Sequence, residues 1–164
     1  MIQAAVLTVS DSVHAGKRTD LSGPAVRERL EQLGWSVLLE VVPDDEVLIA
    51  GRLAALADFN RVSAIFTTGG TGVAARDVTP EATRRVIERE IPGFGEWMRA
   101  SGRSSTPLAV LSRGTAGARG RTLIVNLPGS PRGAVESLNA IVDLVPHVLE
   151  LLRGETEHAM TSKP

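Results

Sequence analysis

Six consecutive positions, Thr67-Thr68-Gly69-Gly70-Thr71-Gly72, hold three threonines and three glycines directly after the apolar run Ala64-Ile65-Phe66. Glycines at 69, 70 and 72 leave the backbone bare, so successive N–H groups can point together at an anion while the threonine hydroxyls add donors. A carboxylate, Asp77, and a helix start at Val78-Thr79-Pro80 follow within a few residues. Asp11 and Asp44 each follow another apolar run. If the three runs are parallel strands, Asp11, Asp44 and Asp77 emerge from the same sheet edge as the bare loop, where open α/β proteins bind phosphorylated ligands. Carboxylates gathered around a phosphate repel it unless a cation lies between them, and Mg²⁺ is the natural choice. Each acid also has an ordinary use: Asp44 as a helix cap, Asp11 in closing a turn, Asp77 in pairing with Arg76.

A second anion-seeking feature is Asn126-Leu127-Pro128-Gly129-Ser130-Pro131, which leaves an apolar run and enters a helix. The first-turn N–H groups of that helix favour negative charge; Ser130 could donate to a phosphate, and Asn126 could read a nucleotide or pterin edge. Two familiar phosphate motifs fail here. No Gly-Lys-Ser/Thr follows the glycines, so this is not a P-loop. Gly70-Thr71-Gly72-Val73-Ala74-Ala75 matches the dinucleotide fingerprint in letters, but a new helix start at Asp77-Val78-Thr79-Pro80 breaks the helix that fingerprint requires. Arg99 and Arg113 are further candidates for a ligand phosphate, whereas Trp97 and Met98 read as core or interface. His14, His147 and His158 share no metal-binding spacing, and no nucleophile–base pair is evident.

Composition narrows the partners. Net charge is −1 and no basic block occurs, which argues against nucleic acid. Cysteine is absent, excluding disulfides, thiolate nucleophiles and iron–sulfur ligation. Aromatics make up 3%, too few for base-stacking platforms. No apolar stretch is long enough to span a bilayer, and the first residues do not read as a signal peptide, so a cytoplasmic protein is expected.

The elements that must position these residues alternate. Residues 2–9 form a continuous β-branched and apolar run, read as a strand covered on both faces. Residues 10–21 read as a long loop, and Ser22 as the N-cap of a helix that Gly34 ends. Strands are expected at 35–42 and 63–67, separated by a helix after Pro43-Asp44-Asp45. A helix is expected from Pro80 to about Glu90, another over 94–100, and a short one from Pro107 to Ser112. Residues 114–118 and 121–126 read as two strands joined by an Arg119-Gly120 turn, one of them antiparallel. The last helix starts near Pro131 and kinks at Pro146. The expectation is one α/β domain over 1–154, a three-layer α/β/α sandwich with a mostly parallel sheet, and a polar tail over 155–164.

Taken in order, the glycine loop, Asp77-Val78-Thr79-Pro80-Glu81, Pro92-Gly93-Phe94-Gly95-Glu96, Leu111-Ser112-Arg113 and the Asn126–Pro131 turn resemble the MogA/MoaB family of molybdenum-cofactor biosynthesis. The resemblance runs from Ile2 to about Gly154. It implies a molybdopterin-binding fold, a homotrimer, and transfer of AMP from MgATP to the molybdopterin phosphate with release of pyrophosphate. By the same resemblance, Asp44 and Asp77 are catalytic and metal-placing. The binding residues are Ser10, Asp11, Ser12, Thr68, Gly69, Gly70, Thr71, Gly72, Thr79, Glu96, Ser112, Arg113, Asn126, Pro128, Gly129 and Ser130. A MoeA-type protein that inserts molybdate is the implied partner. The alternative within the family is a MoaB-type protein that binds molybdopterin without turnover. The resemblance leaves open whether Asp44 or Asp45 faces the site.

Overall fold

Six of the seven residues of the first strand, β1 (Gln3–Val9), are buried, and their side chains divide between two cores. Ala4 and Val6 join one apolar cluster with Phe66, Leu123, Val125 and Leu138. Ala5, Leu7 and Val9 join the other with Ile49, Leu53, Ile65 and Ile124. Period-two alternation between two apolar cores requires helices on both faces of the sheet. They are α2 (Ser22–Gln32), α5 (Pro92–Gly102), α6 (Pro131–Ile141) and α7 (Val145–Arg153) on one face, with α3 (Glu46–Asp58) and α4 (Thr79–Val86) on the other. This computed structural model describes residues 1–60 and 62–155, so the polar tail expected over 155–164 lies, apart from Glu155, outside the described residues.

The sheet has six strands in the order β2-β1-β3-β6-β5-β4. β2 (Ser36–Val42), β1, β3 (Ala64–Thr68) and β6 (Thr122–Leu127) are mutually parallel, whereas β5 (Ala116–Arg119) runs antiparallel to β6 and β4 (Arg89–Glu90) antiparallel to β5. The chain goes from β1 outward to β2 and then crosses back to β3 on the other side of β1. The carboxyl ends of β1 and β3 therefore flank a topological switch point, where connecting segments diverge and leave a crevice.

Four local expectations are corrected. The segment after β1 is not all loop: Asp11–His14 form a single helical turn, α1, capped by Ser10, whose hydroxyl accepts from the Val13 N–H. Ser22 does not cap α2, because its hydroxyl bonds Thr68 across the sheet edge; the Asp20 carboxylate accepts from the Gly23 N–H instead. α4 stops at Val86, not near Glu90, and the chain becomes edge strand β4. There Glu88 and Ile91 N–H groups bond the carbonyls of Ala118 and Ala116, and Gly117 admits the Arg89 carbonyl where a Cβ would lie 2.5 Å from it. At the end of the chain, a 3₁₀ turn (Val142–Leu144) separates α6 from α7, with Pro146 accommodated in the first turn of α7.

Phe66 is fully buried in the larger core with Trp35 tilted against it at 6.2 Å between ring centroids. Phe66→Ala is expected to lower stability by about 3–5 kcal/mol, measured by denaturant unfolding.

Candidate functional site

The turn after β3 is built without side chains for a packing reason. Gly69 and Gly70 adopt φ of 93° and 67°, a region that other residues enter at a cost. A Cβ on Gly69 would lie 2.5 Å from the Val9 carbonyl oxygen, and one on Gly70 would overlap the Thr79 hydroxyl. The turn is held on every side: the Gly69 N–H donates to Leu127 O, Thr79 Oγ1 donates to Gly69 O at 3.0 Å, and the Thr79 N–H donates to Gly70 O. Thr79 is thus a buried staple between the turn and α4 rather than an exposed ligand group. Thr68 is likewise buried, bonded to Ser22.

Around this turn lies a cavity of about 1050 Å³ at the switch point, and it brings together Ser10, Asp11, Ser12, Asp44, Thr68, Gly69, Gly70, Asp77, Gly129 and Ser130. Asp11 and Asp44 hold one another. The Asp11 N–H donates to Asp44 Oδ2 at 2.9 Å, and the Asp44 N–H donates to Asp11 Oδ1 at 2.8 Å. Arg76 binds the second oxygen of Asp11. The Asp44 N–H first, and the Arg76 guanidinium second, hold the Asp11 carboxyl below the usual carboxylate range. Asp45 turns away: it is the N-cap of α3, accepting from the Leu48 N–H at 2.9 Å. Of the adjacent pair, Asp44 faces the cavity and Asp45 makes the cap. Asp77 Oδ2 accepts from the Ala74 N–H, closing a turn that aims the acid at the same space. Ser130 caps α6 by accepting from the Gly133 N–H at 3.0 Å, which leaves its own proton available.

The remaining expected residues sit elsewhere. Thr71, Gly72, Ser112, Asn126 and Pro128 line a second cavity of about 420 Å³, whose other walls include Val73, Met98 and Leu108. Gly129 and Ser130 border both cavities, so the two adjoin along that ridge. The Asn126 amide does not face a ligand edge. It donates to Thr67 and Thr83 and accepts from the Thr115 N–H, buried inside the sheet edge. Arg113 braces the loop: its guanidinium donates to the carbonyls of Gly72 and Asp77 and to Glu81, while its own N–H donates to Thr71 O. Arg99 is similarly engaged by the carbonyls of Ser112 and Gly114. Glu96 lines a third cavity with Arg84, Glu90 and Arg113, which adjoins the second along Gly95, Arg99, Ser112 and Gly114 and shares no lining residue with the first.

Arg76 is the cavity residue that spacing misread: it pairs with Asp11, 65 positions away, not with its neighbour Asp77. Asp20, bonded to the Thr8 hydroxyl at 2.7 Å, was also missed, although the polar run between β1 and α2 was its signal. Among the described residues no group of three or more His, Asp or Glu side chains could hold a metal. Asp44 Oδ1 and Asp77 Oδ1 are nonetheless free of protein hydrogen bonds among the described residues. Two carboxylate oxygens suit a magnesium ion that takes its other ligands from phosphate and water.

The fold and its cavity define a class: α/β proteins with a ligand crevice at the switch point of a parallel sheet. A family profile described as "Probable molybdopterin binding domain" matches residues 5–147. Molybdopterin adenylyltransferase of Helicobacter pylori J99 is 41% identical over 156 residues, covering 93% of this chain and 89% of that protein. The Escherichia coli K12 protein of the same name is 35% identical, covering 93% and 86%. The crystal structure of the molybdopterin biosynthesis enzyme MoaB from Thermus thermophilus superposes with a TM-score of 0.88 at 50% identity, covering 94% of this chain and 98% of that one. The chain belongs to the molybdopterin-binding-domain family, in its MogA/MoaB branch.

Gly70→Val forces a branched side chain onto Thr79 at a positive φ, so its first effect is on the fold. A loss of about 2–4 kcal/mol is expected in thermal or denaturant unfolding. Glu81 is held below its usual pKa first by its hydrogen bond from Arg113. A lowered folded-state value means this contribution is complete above the ordinary glutamate range and disappears as pH falls through the lower folded value. Stability of the wild type should therefore decline on acidification through that window, and the decline should be shallower in Glu81→Gln, followed by unfolding midpoints against pH.

Proposed function

We propose that this protein is a molybdopterin adenylyltransferase. A phosphate oxygen of molybdopterin attacks the α-phosphorus of MgATP, the bond from that phosphorus to the α,β-bridging oxygen breaks, and pyrophosphate leaves with the bonding electrons. The names and coverage of the relatives support this reading, and the observation that carries it is the pair of cavities meeting at Gly129 and Ser130. The larger one holds the acids and suits a nucleotide with its cation; the smaller, mostly apolar one has the size of a pocket for a flat heterocycle. A phosphate reaching over the ridge would meet the Ser130 hydroxyl at the positive end of α6, where Pro131 carries no N–H and the Gly133 N–H is already bonded to Ser130.

The substrate carries its own nucleophile, so the protein's contribution is alignment and charge compensation. A well-aligned attack accounts for roughly 7–11 kcal/mol of barrier lowering. The glycine turn approaches the phosphates with backbone alone. Asp44 and Asp77 would each offer one carboxylate oxygen to the magnesium of MgATP, which would supply charge compensation at the phosphate oxygens. Asp11 and Arg76 hold Asp44 in place. We further propose a domain spanning 1–154, assembly as a cytoplasmic homotrimer, and delivery of the product to a MoeA-type protein. No helix of the described residues is long and apolar enough to cross a membrane.

The test is incubation of the protein with molybdopterin, ATP and Mg²⁺ followed by assay for adenylyl-molybdopterin and pyrophosphate. Retention of molybdopterin with no product would show a carrier instead. Asn at either position keeps an oxygen for the hydrogen bonds from Asp11 and Ala74 but removes the charge. Asp44→Asn and Asp77→Asn should each lower kcat by about 10²–10³ while the melting temperature stays close to that of the wild type.

A further inference from the structure

Resting on the transfer reading above, we infer that Lys17 and Arg18 form the subsite for the departing pyrophosphate. The large cavity is lined by four acids, Asp11, Asp20, Asp44 and Asp77, and by three cations, Lys17, Arg18 and Arg76. On its own it is therefore poorly suited to a triphosphate. Arg76 is engaged by Asp11, and Asp20 by Thr8 and the Gly23 N–H. Lys17 and Arg18 make no ion pair or side-chain hydrogen bond among the described residues, so theirs is the positive charge still open to a ligand.

Their backbone is already placed. Both N–H groups converge on the Ser12 carbonyl, at 2.9 Å from Lys17 and 3.2 Å from Arg18, after a turn at Gly16 with φ of 72°. Ligand binding has only to order the two side chains, not the segment that carries them.

Direction comes from the sheet. In-line displacement puts the attacking oxygen and the leaving oxygen on opposite sides of the reacting phosphorus. The strand order places β3 between β1 and β6. Ser130 follows β6, the Gly69–Gly70 turn follows β3, and the segment bearing Lys17 and Arg18 follows β1. An acceptor phosphate at Ser130 and an α-phosphorus over the glycine turn leave the β1 side for the β- and γ-phosphates. Adjacent strands lie roughly 4.8 Å apart, so the β6-to-β1 span is about 10 Å, the reach of a short phosphate chain.

The experiment is calorimetric titration of the full chain with AMP, with α,β-methylene-ATP and with inorganic pyrophosphate, each with Mg²⁺. A Lys17→Ala/Arg18→Ala variant and a charge-keeping Lys17→Arg/Arg18→Lys variant are compared with the wild type. The alanine variant should bind the triphosphate analogue and pyrophosphate about tenfold more weakly, with AMP affinity unchanged. The charge-keeping variant should retain most of the difference, and the effect should shrink as salt rises. Equal weakening of AMP and the analogue, or no change in either, overturns the subsite. Its failure is distinct from failure of the transfer reading, which is decided by whether the wild type forms adenylyl-molybdopterin at all. Both side chains are exposed, and equal melting temperatures of the variants check that the fold is retained.

Discussion

Where β3 ends, there is no room for a Cβ, and the architecture of the carboxyl edge follows from that constraint. Gly69 lies against the Val9 carbonyl, Gly70 against Thr79, and a Cβ on Gly129 would be 3.2 Å from the Gly69 Cα. The ends of β1, β3 and β6 and the start of α4 consequently meet backbone to backbone. That closeness lets an acid from β1's end, one from β2's end and one from the 71–77 turn reach the same volume as the first turn of α6. A glycine-rich loop is commonly read as freedom for a ligand to approach. Here the same bareness is first a requirement of packing, and the Gly69 N–H is itself engaged by the Leu127 carbonyl.

Collecting carboxylates in one cavity is unfavourable unless something orders and offsets them. The protein does this with hydrogen bonds more than with ion pairs. Asp11 and Asp44 exchange backbone N–H donors across neighbouring parallel strands, so each acid is oriented by the peptide next to the other. Arg76 adds a cation on the solvent side, where its pair with Asp11 is too exposed to add much stability. Its effect is on orientation: it takes the second oxygen of Asp11 and leaves the outer oxygen of Asp44 unencumbered. Arg113 performs the complementary task beneath the loop, tying Thr71, Gly72 and Asp77 to Glu81 on α4.

The alternating apolar runs of β1, β3 and β6 and the helix starts at Pro80 and Pro131 were readable because local periodicity and proline geometry report directly on such elements. The antiparallel pair near Gly120 was readable for the same reason. β4 was not. Residues 87–90 continue a helical-looking segment, and only pairing with β5 across Gly117 makes the chain extended there. The cap of α2 was misassigned by two positions, Asp20 for Ser22, and the choice between Asp44 and Asp45 stayed open, since neighbouring polar residues have the same local propensity and tertiary contacts decide between them. Arg113 and Asn126 looked like ligand groups because polar residues beside a turn suggest exposure. Asn126 is instead buried at the sheet edge and spent on threonine hydroxyls, while the half-buried Arg113 is engaged by Glu81 and by backbone carbonyls.

By itself the amino-acid order determined the α/β alternation, the bare turn and the presence of acids after three strands. These are properties of short segments, governed by side-chain period and backbone sterics. Only the folded chain decided which of those acids share a cavity, which arginines remain available and which adjacent aspartate turns inward. Those outcomes depend on contacts between residues tens of positions apart, such as Arg76 with Asp11 and Asp44 with the Asp11 amide, and no local pattern encodes the distance between them.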